Sequence, residues 1–301
     1  MPINAERREN TRSLGCIPDN RHPWPLRALL GLGLLLSSCE MLATGPPPGG
    51  PPPGVVLAVG GGGTPEVVVR RGLTLAPRSE GGPRVAVVPF ASAREDRGLG
   101  SVEMWKQAGA PSVTLVPEDE GARAVLERAD LIWLGGGSQS RLMASLERLD
   151  LVGLIRDRHR AGALVGGTSA GAAVLGGIMI SGDPEPDAYT GGAMAPLPSL
   201  ELIPGVIVDQ HFRERRREGR LISALLDQPQ GWIGVGISES TAAVFRDGAF
   251  EVLGDGVVLL LDTSGAQFDL TGPGDLQRAS GVTLSIHPPG DRRELRGASG
   301  S

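Results

Sequence analysis

From residue 55 onward, short apolar runs rich in Val, Ile, Leu and Ala alternate with helix-like segments of mixed polarity. Such alternation is typical of βαβ units, in which helices cover both faces of a mainly parallel sheet. We expect functional groups at the carboxyl ends of the strands, where ligands of these sheets bind. The predicted strands span residues 55–59, 84–90, 112–116, 130–134 and 163–166, and the predicted helices span 101–108, 118–128, 139–148 and 151–159.

The pattern changes after residue 231 to strands joined by tight turns, at 232–237, 242–245, 250–253 and 257–261. Arg246-Asp-Gly248 and Gly254-Asp-Gly256 are hairpin signals, because Asp-Gly pairs adopt the positive φ angles of two-residue turns. We expect this antiparallel part to extend the same sheet. The sequence therefore predicts one α/β domain over residues 55–301, with a frayed end at 296–301.

The first 54 residues have the composition of a targeting segment and a spacer. Arginines precede the apolar run 28–36, which is too short to cross a bilayer as a stable helix. Leu36-Ser-Ser-Cys39 resembles the lipobox of bacterial lipoproteins, so residues 1–38 are a predicted signal peptide and Cys39 a predicted lipidation site; the alternative is a plain signal peptide. The Pro/Gly-rich residues 39–54 predict a linker. These features predict an exported domain that reaches a membrane only through its lipid anchor.

Charge and cysteine content exclude several function classes. The chain carries a formal charge of −5, and removal of residues 1–38 would make it more acidic, so nucleic acid is not an expected partner. The other cysteine, Cys16, would leave with the signal peptide, which removes a thiol nucleophile and a disulfide from the mature domain. The histidines are dispersed and form no HExxH pattern, so no metal site is predicted. The sequence contains neither a Walker nor a GxGxxG pattern, so no nucleotide cofactor is predicted.

Gly167-Thr-Ser-Ala-Gly171 fits the G-x-S-x-G pattern, with a predicted strand before it and small residues after it. A sharp strand-to-helix turn of this kind forces the serine outward and needs glycine on either side. Ser169 is therefore a candidate nucleophile, and the backbone N–H of Ala170 a candidate oxyanion donor. The competing interpretation is a glycine-rich packing turn that contains a serine by chance.

A serine nucleophile needs a base and an orienting carboxylate. His211 is favoured as the base because it follows an apolar run and opens a predicted helix. His159 lies on a predicted solvated helix face, and His287 precedes two prolines near the end. Glu239, at another strand end, is the first candidate for the carboxylate. Asp187 is second, and Asp183 competes in the same loop; each acid can also serve as a turn residue.

Two glycine runs and a basic cluster complete the candidate chemistry. Residues 60–63 and 135–137 each follow a strand, which predicts close backbone approach to a substrate, with a second oxyanion donor such as Gly136 from the later run. The cluster 213–220 directly follows His211, so its arginines are expected beside the scissile bond, where they can bind carboxylates. The competing interpretation of this cluster is a solvated helix face.

Together these residues resemble cyanophycinases and aspartyl dipeptidases of peptidase family S51. The resemblance spans residues 55–296 and rests on Gly166-Gly-Thr-Ser-Ala-Gly171, Asp209-Gln-His-Phe212 with its following arginines, Gly234-Val-Gly-Ile-Ser-Glu239 and Gly136-Gly-Ser-Gln139. It implies a fold like that of class I glutamine amidotransferases and a triad of Ser169, His211 and Glu239. It also implies a substrate pocket lined by Gln139, Asp209, Gln210, Arg215, Arg217 and Arg220.

The resemblance implies hydrolysis of cyanophycin, a polymer with an aspartate backbone and arginine side branches, to β-aspartyl-arginine dipeptides. One departure concerns specificity, because the family usually has Asp where this chain has Ser138. Two alternatives remain open: an aspartyl exopeptidase or dipeptidase of the same family, and a catalytically inactive surface binding protein that keeps the fold. Relatives are often dimers, so a homodimer is also an expectation.

Overall fold

The architecture was obtained as a computed structural model, which describes residues 54–77, 79–182, 188–194 and 196–295. The predicted signal peptide, Cys39, nearly all of the linker, Asp183, Asp187 and the predicted frayed end lie outside the described residues. The strands are β1 (Val56–Val59), β2 (Arg84–Val88), β3 (Ser112–Leu115), β4 (Leu131–Leu134), β5 (Leu164–Thr168), β6 (Gly176–Ile178), β7 (Ile203–Gln210), β8 (Ile233–Ile237), β9 (Thr241–Arg246), β10 (Ala249–Gly254), β11 (Val258–Asp262), β12 (Gln267–Phe268), β13 (Ala279–Ser280), β14 (Thr283–His287) and β15 (Arg292–Glu294).

The helices lie mainly in the first two thirds of the described chain. They are α1 (Glu66–Leu75), α2 (Leu99–Gln107), α3 (Ala122–Glu127), α4 (Gln139–Arg148), α5 (Val152–Arg160), α6 (Ala170–Ala173) and α7 (Glu218–Leu226). No helix in the described ranges is long and apolar enough to span a membrane.

An eight-stranded sheet has the order β15-β10-β9-β1-β5-β4-β2-β3. The strands β1, β5, β4, β2 and β3 are parallel, whereas β9, β10 and β15 add antiparallel pairs at one edge. The predicted hairpin at 246–248 is present: Asp247 and Gly248 connect β9 to β10 with φ angles of 53° and 72°. The predicted α/β class with a mainly parallel sheet and helical flanks is confirmed.

The predicted single sheet is wrong for part of the chain, because a second sheet has the order β14-β11-β8-β7-β6. Its strands β6, β7 and β8 are parallel, and β11 and β14 are antiparallel additions. The hairpin predicted at 254–256 is also wrong. Gly254 has a φ of 103°, and the Asp255 N–H donates to the Ser240 carbonyl at 2.9 Å, so this turn takes the chain from the first sheet to the second.

Helix α3 is shorter than the predicted span 118–128 because the chain makes a turn before it. The Asp119 carboxylate accepts the Gly121 N–H at 2.8 Å, an Asx turn that competes with helix. Helix α1 was not predicted, since its run of three valines favours strand on propensity alone. Helix α4 has the predicted bounds, and its N-cap Ser138 accepts the Arg141 N–H.

Apolar clusters cover both faces of the first sheet. On one face the indole rings of Trp105 and Trp133 meet edge to face, with centroids 5.3 Å apart. Gly72 in α1 permits this packing, since a Cβ there would lie 2.9 Å from Trp105 Cη2. On the other face a larger cluster extends to residues of β7, β8 and β11 in the second sheet. The described residues belong to one compact unit, and its core joins the two sheets.

Candidate active site

Ser169 follows the last residue of β5, in the middle of the first sheet. Its backbone has φ 53° and ψ −116°, a conformation that costs a non-glycine residue about 1–3 kcal/mol. Its N–H donates to the Val59 carbonyl at 3.0 Å, which fixes the turn against β1. A Cβ on Gly167 would overlap the Gly171 backbone, and one on Gly171 would overlap the Leu134 carbonyl. The glycines therefore have the steric role that the motif predicts.

His211 follows the last residue of β7, in the second sheet. Its Nε2 lies 2.9 Å from Ser169 Oγ, within hydrogen-bonding distance. The prediction that His211 opens a helix is wrong: it is a turn residue with a φ of 48°, and α7 begins at Glu218. The ring of the next residue, Phe212, is fully buried and occupies the space that a Cβ on Gly236 would take. This packing anchors the turn that carries the imidazole.

Glu239 lies two residues after the end of β8, on the other side of the imidazole. Its Oε1 is 2.5 Å from His211 Nδ1, and its side chain is 38 % exposed. A carboxylate at Nδ1 favours the tautomer with the proton on that nitrogen, which leaves the Nε2 lone pair for the Ser169 hydroxyl. The structure thus brings the three residues together in the order serine, imidazole, carboxylate.

Two backbone segments, at Ala170 and at Gly136, lie next to the serine. Ala170 N–H has no hydrogen-bond acceptor in the part of the chain that the structure describes. Gly136 lies against the serine, since a Cβ there would be 3.4 Å from Ser169 Cβ. Both predicted oxyanion residues therefore adjoin Ser169, where a tetrahedral oxyanion would form.

Asp209 and Arg220 form a buried ion pair below the site. Arg220 Nε and Nη2 donate to the two Asp209 oxygens at 2.8 and 2.6 Å, and the side chains are 2 % and 1 % exposed. Arg217, 6 % exposed, donates from Nη1 to the Gln210 carbonyl at 2.7 Å. The interpretation of the basic cluster as a solvated face is wrong for these arginines. Arg220 occupies both oxygens of Asp209, so this acid does not present a free carboxylate to a substrate.

The remaining predicted pocket residues differ in exposure. Gln210 is buried, and its Oε1 lies 3.4 Å from Ser169 Oγ, beside the reacting group. Gln139 is also buried and donates to the Ile180 carbonyl at 2.7 Å. Arg215 is exposed, and its guanidinium has no ion-pair partner among the residues described. Arg215 is therefore the arginine of this set that is available to an incoming carboxylate.

The two other histidines of the domain have different surroundings. His159 is 7 % exposed, which corrects its predicted solvated position, and burial lowers its pKa. His287 Nε2 lies 2.9 Å from Ser285 Oγ, and its Nδ1 lies 3.1 Å from Asp291 Oδ2. This second Ser-His-Asp relay has its serine inside a regular strand, β14, without the strained turn that exposes Ser169. This contact was not predicted from the sequence, although Ser285 and His287 are alternate residues of one strand and therefore lie on the same face of the sheet.

The first glycine run has a role that the sequence analysis did not predict. Residues 60–63, which we call the glycine strap, follow β1 and lie against His211 and Glu239. The structure shows this run in contact with the candidate base and carboxylate, and its close approach to a substrate stays a prediction. The described ranges contain no group of three or more His, Cys, Asp or Glu that could hold a metal ion.

An α/β fold with a serine in contact with a histidine is typical of a class of hydrolytic enzymes, and comparison with known proteins shows which family of that class matches. Residues 56–253 match the family model for peptidase family S51. The chain belongs to this family and is a serine peptidase.

Similar proteins include two groups of curated relatives and one solved structure. The chain is 37 % identical over 214 residues to a cyanophycinase of Trichormus variabilis, covering 67 % of this chain and 70 % of the relative. It is 30 % identical over 185 residues to a peptidase E of Actinobacillus pleuropneumoniae, covering 58 % and 76 % respectively. The fold matches the crystal structure of a peptidase from an acI-B1 Actinobacterium, with a TM-score of 0.55 and 21 % identity over 81 % of this chain and 97 % of that one.

Proposed function

We propose that the protein hydrolyses cyanophycin-like polymer through an acyl-enzyme formed on Ser169, with His211 as the base and Glu239 as the orienting carboxylate. The observation that carries the proposal is the continuous chain of contacts, 2.9 Å from Ser169 Oγ to His211 Nε2 and 2.5 Å from His211 Nδ1 to Glu239 Oε1. The Ser169–His211 distance lies within the range that proton transfer requires, and the shorter His211–Glu239 contact suits a carboxylate that orients the imidazole.

In the first half-reaction, Ser169 Oγ attacks the carbonyl carbon of the scissile amide and its proton passes to His211 Nε2. The N–H groups of Ala170 and Gly136 stabilise the oxyanion. His211 then donates that proton to the leaving nitrogen, the C–N bond breaks, and the amine departs. In the second half, water attacks the ester, His211 takes its proton, and the proton returns to Ser169 Oγ as the acid product leaves.

The relatives named cyanophycinase support the choice of polymer. The exposed Arg215 near His211 suits a substrate with free carboxylates, since a guanidinium binds a carboxylate with two parallel hydrogen bonds. The substrate's arginine branch would need a different acid from Asp209, which already binds Arg220. Under this proposal the products are β-aspartyl-arginine dipeptides released by exopeptidase action.

A second candidate is an aspartyl dipeptidase, supported by the similarity to peptidase E. Ser138 supports it as well. In this chain Ser138 caps α4 through its Oγ, and the resemblance to the family implies an aspartate at this position, before Gln139. A loss of that acid favours a substrate without an arginine branch. The two candidates share the same acyl-enzyme and differ only in the groups that flank the aspartyl residue.

The test compares purified wild type with Ser169→Ala and with the control Ser285→Ala, which disrupts the second Ser-His-Asp relay. We expect a fluorophosphonate to label wild type and Ser285→Ala equally and to leave Ser169→Ala unlabelled, since labelling requires an activated hydroxyl. Soluble dipeptide released from insoluble cyanophycin should follow the same order. Unchanged release by Ser169→Ala would refute the nucleophile. Faster cleavage of Asp-X dipeptides than of the polymer would select the second candidate, and a wild type that is never labelled would indicate an inactive binding protein.

The proposal also includes export with a lipid anchor at Cys39. It is supported by the order of features in the sequence: arginines, a short apolar run, Leu36-Ser-Ser-Cys39 and then a Pro/Gly-rich spacer. An enzyme for an external polymer needs to be outside the cell. Metabolic labelling with a radioactive fatty acid should mark the wild type and not Cys39→Ala. Equal labelling of the two would refute the anchor.

A further inference from the structure

The glycine strap, residues 60–63, connects the two sheets at the candidate active site. It leaves the end of β1 in the first sheet and runs beside the ends of β7 and β8 in the second. The Gly60 carbonyl accepts the His211 N–H at 2.7 Å, and the Gly61 carbonyl accepts the Ser240 N–H at 2.8 Å. The strap therefore binds the backbone at both segments that carry the proposed base and carboxylate.

The strap also contacts the two functional side chains through its α-carbons. A Cβ on Gly61 would overlap the Cε1 and Nε2 atoms of the His211 ring. A Cβ on Gly62 would lie 2.5 Å from Glu239 Oε2 and 2.6 Å from Glu239 Cβ. Gly61 and Gly62 have φ angles of 96° and 68°, which also disfavour side chains. The absence of side chains at these positions is what leaves room for the imidazole and the carboxylate.

Gly63 separates the effect of backbone strain from the effect of contact. Its φ of 117° is as unsuitable for a side chain as those of its neighbours. A Cβ there would meet nothing closer than Ser240 Oγ at 3.9 Å, an ordinary van der Waals distance. Among the last three glycines of the strap, Gly61 and Gly62 lie against the two functional side chains and Gly63 does not.

We infer that Gly61 and Gly62 are positioning residues, which set the location of the His211 ring and the Glu239 carboxylate relative to Ser169. This inference rests on the proposed function, because it assigns the strap a role in that reaction. An added methyl at residue 61 would displace the imidazole from the serine side, where Nε2 must accept the hydroxyl proton. A displacement of about 1 Å in such a group costs on the order of 10²-fold in rate.

The experiment compares Gly61→Ala, Gly62→Ala and the control Gly63→Ala in the full-length enzyme. Fluorophosphonate titration gives the concentration of competent sites, and kcat and KM are then measured with a soluble β-aspartyl-arginine oligomer. We expect kcat per titrated site to fall about 10²-fold in Gly61→Ala and at least about tenfold in Gly62→Ala, with KM within about twofold of wild type. Gly63→Ala should keep wild-type kcat, although all three variants unfold at lower temperature.

Rate measurements across pH provide a second readout that strain alone would not change. In Gly62→Ala the displaced carboxylate holds the imidazolium less well, so the acid limb of the kcat profile should move to lower pH; in Gly63→Ala it should not move. If the Gly61 and Gly62 variants matched Gly63→Ala in kcat and in pH profile, the positioning role would be overturned while an active wild type upheld the proposed function. A wild type that neither labels nor turns over would instead overturn the proposed function.

Discussion

Replacement of Asp209 by Asn tests whether the buried ion pair is a structural support for the histidine turn. The exchange keeps the shape of the side chain and removes the negative charge that accepts from Arg220, whose side chain is 2 % exposed. Arg220 makes two charge-assisted hydrogen bonds to Asp209, at 2.8 and 2.6 Å. Asp209 also lies in β7, two residues before His211, which follows the end of that strand. The variant should therefore lose both stability and rate.

The magnitude follows from the burial of the pair. Removal of one partner from a buried ion pair costs about 3–5 kcal/mol, because the other charge stays in a poorly solvated site. In a domain of this size each kcal/mol lowers the melting temperature by about 2–4 °C. We expect Asp209→Asn to unfold at a temperature lower by about 6–20 °C. A variant that lost only a contact to substrate would keep the wild-type melting temperature.

Urea unfolding of five proteins measures the interaction of the pair: wild type, Asp209→Asn, Asp209→Leu, Arg220→Met and Asp209→Leu/Arg220→Met, with the double variant compared with the Asp209→Leu and Arg220→Met single variants. Because an apolar pair leaves no unpaired charge, the double variant should be destabilised less than the sum of the single effects, by about 1–3 kcal/mol. Unfolding free energies that add, or an Asp209→Asn variant within about 1 kcal/mol of wild type, would refute the reasoning. Either result would favour the interpretation that Asp209 contacts the substrate.

Two further changes test the carboxylate and a buried histidine. Glu239→Gln should lower kcat by about 10²- to 10⁴-fold, since the His211 imidazolium loses its stabilising charge. The control Glu214→Gln removes the charge of the group that accepts the Glu239 N–H and keeps an acceptor oxygen, so it should change kcat by less than about threefold. Equal losses would refute the assignment. Burial lowers the pKa of His159, so the unfolded chain binds a proton there more readily than the folded chain. Wild type should therefore lose stability as pH falls from about 7 toward 5, and His159→Leu should lose less. Urea titrations at both pH values measure the two losses, and equal losses would contradict this explanation.

Local chemistry made the first sheet and the serine turn predictable from the sequence. The five parallel strands are short apolar runs, and their predicted bounds all lie within two residues of the observed ones. The turn at Ser169 depends on Gly167 and Gly171, whose lack of side chains is a requirement between neighbours in the chain. The start of α4 was likewise predictable from neighbouring residues, because Ser138 caps the helix.

Pairing between distant segments could not be predicted in the same way. Strand β8 pairs in parallel with β7, and its burial pattern is that of any interior strand, so nothing local assigns it to a second sheet. Asp209 and Arg220 are separated by eleven positions and meet only because α7 folds back on β7. The glycine strap has a composition that suits substrate approach equally well. Its contact with His211 became visible only with the arrangement of the two sheets.

The serine and its proposed activators come from different sheets: Ser169 from β5 in the first, His211 and Glu239 from β7 and β8 in the second. An unfolded chain, or a folding intermediate in which only the first sheet has formed, thus has an unactivated serine hydroxyl at position 169. Reactivity toward amides begins when the halves dock. Under the proposed function, hydrolysis needs both sheets in place, so its recovery after dilution from urea would report when they come together.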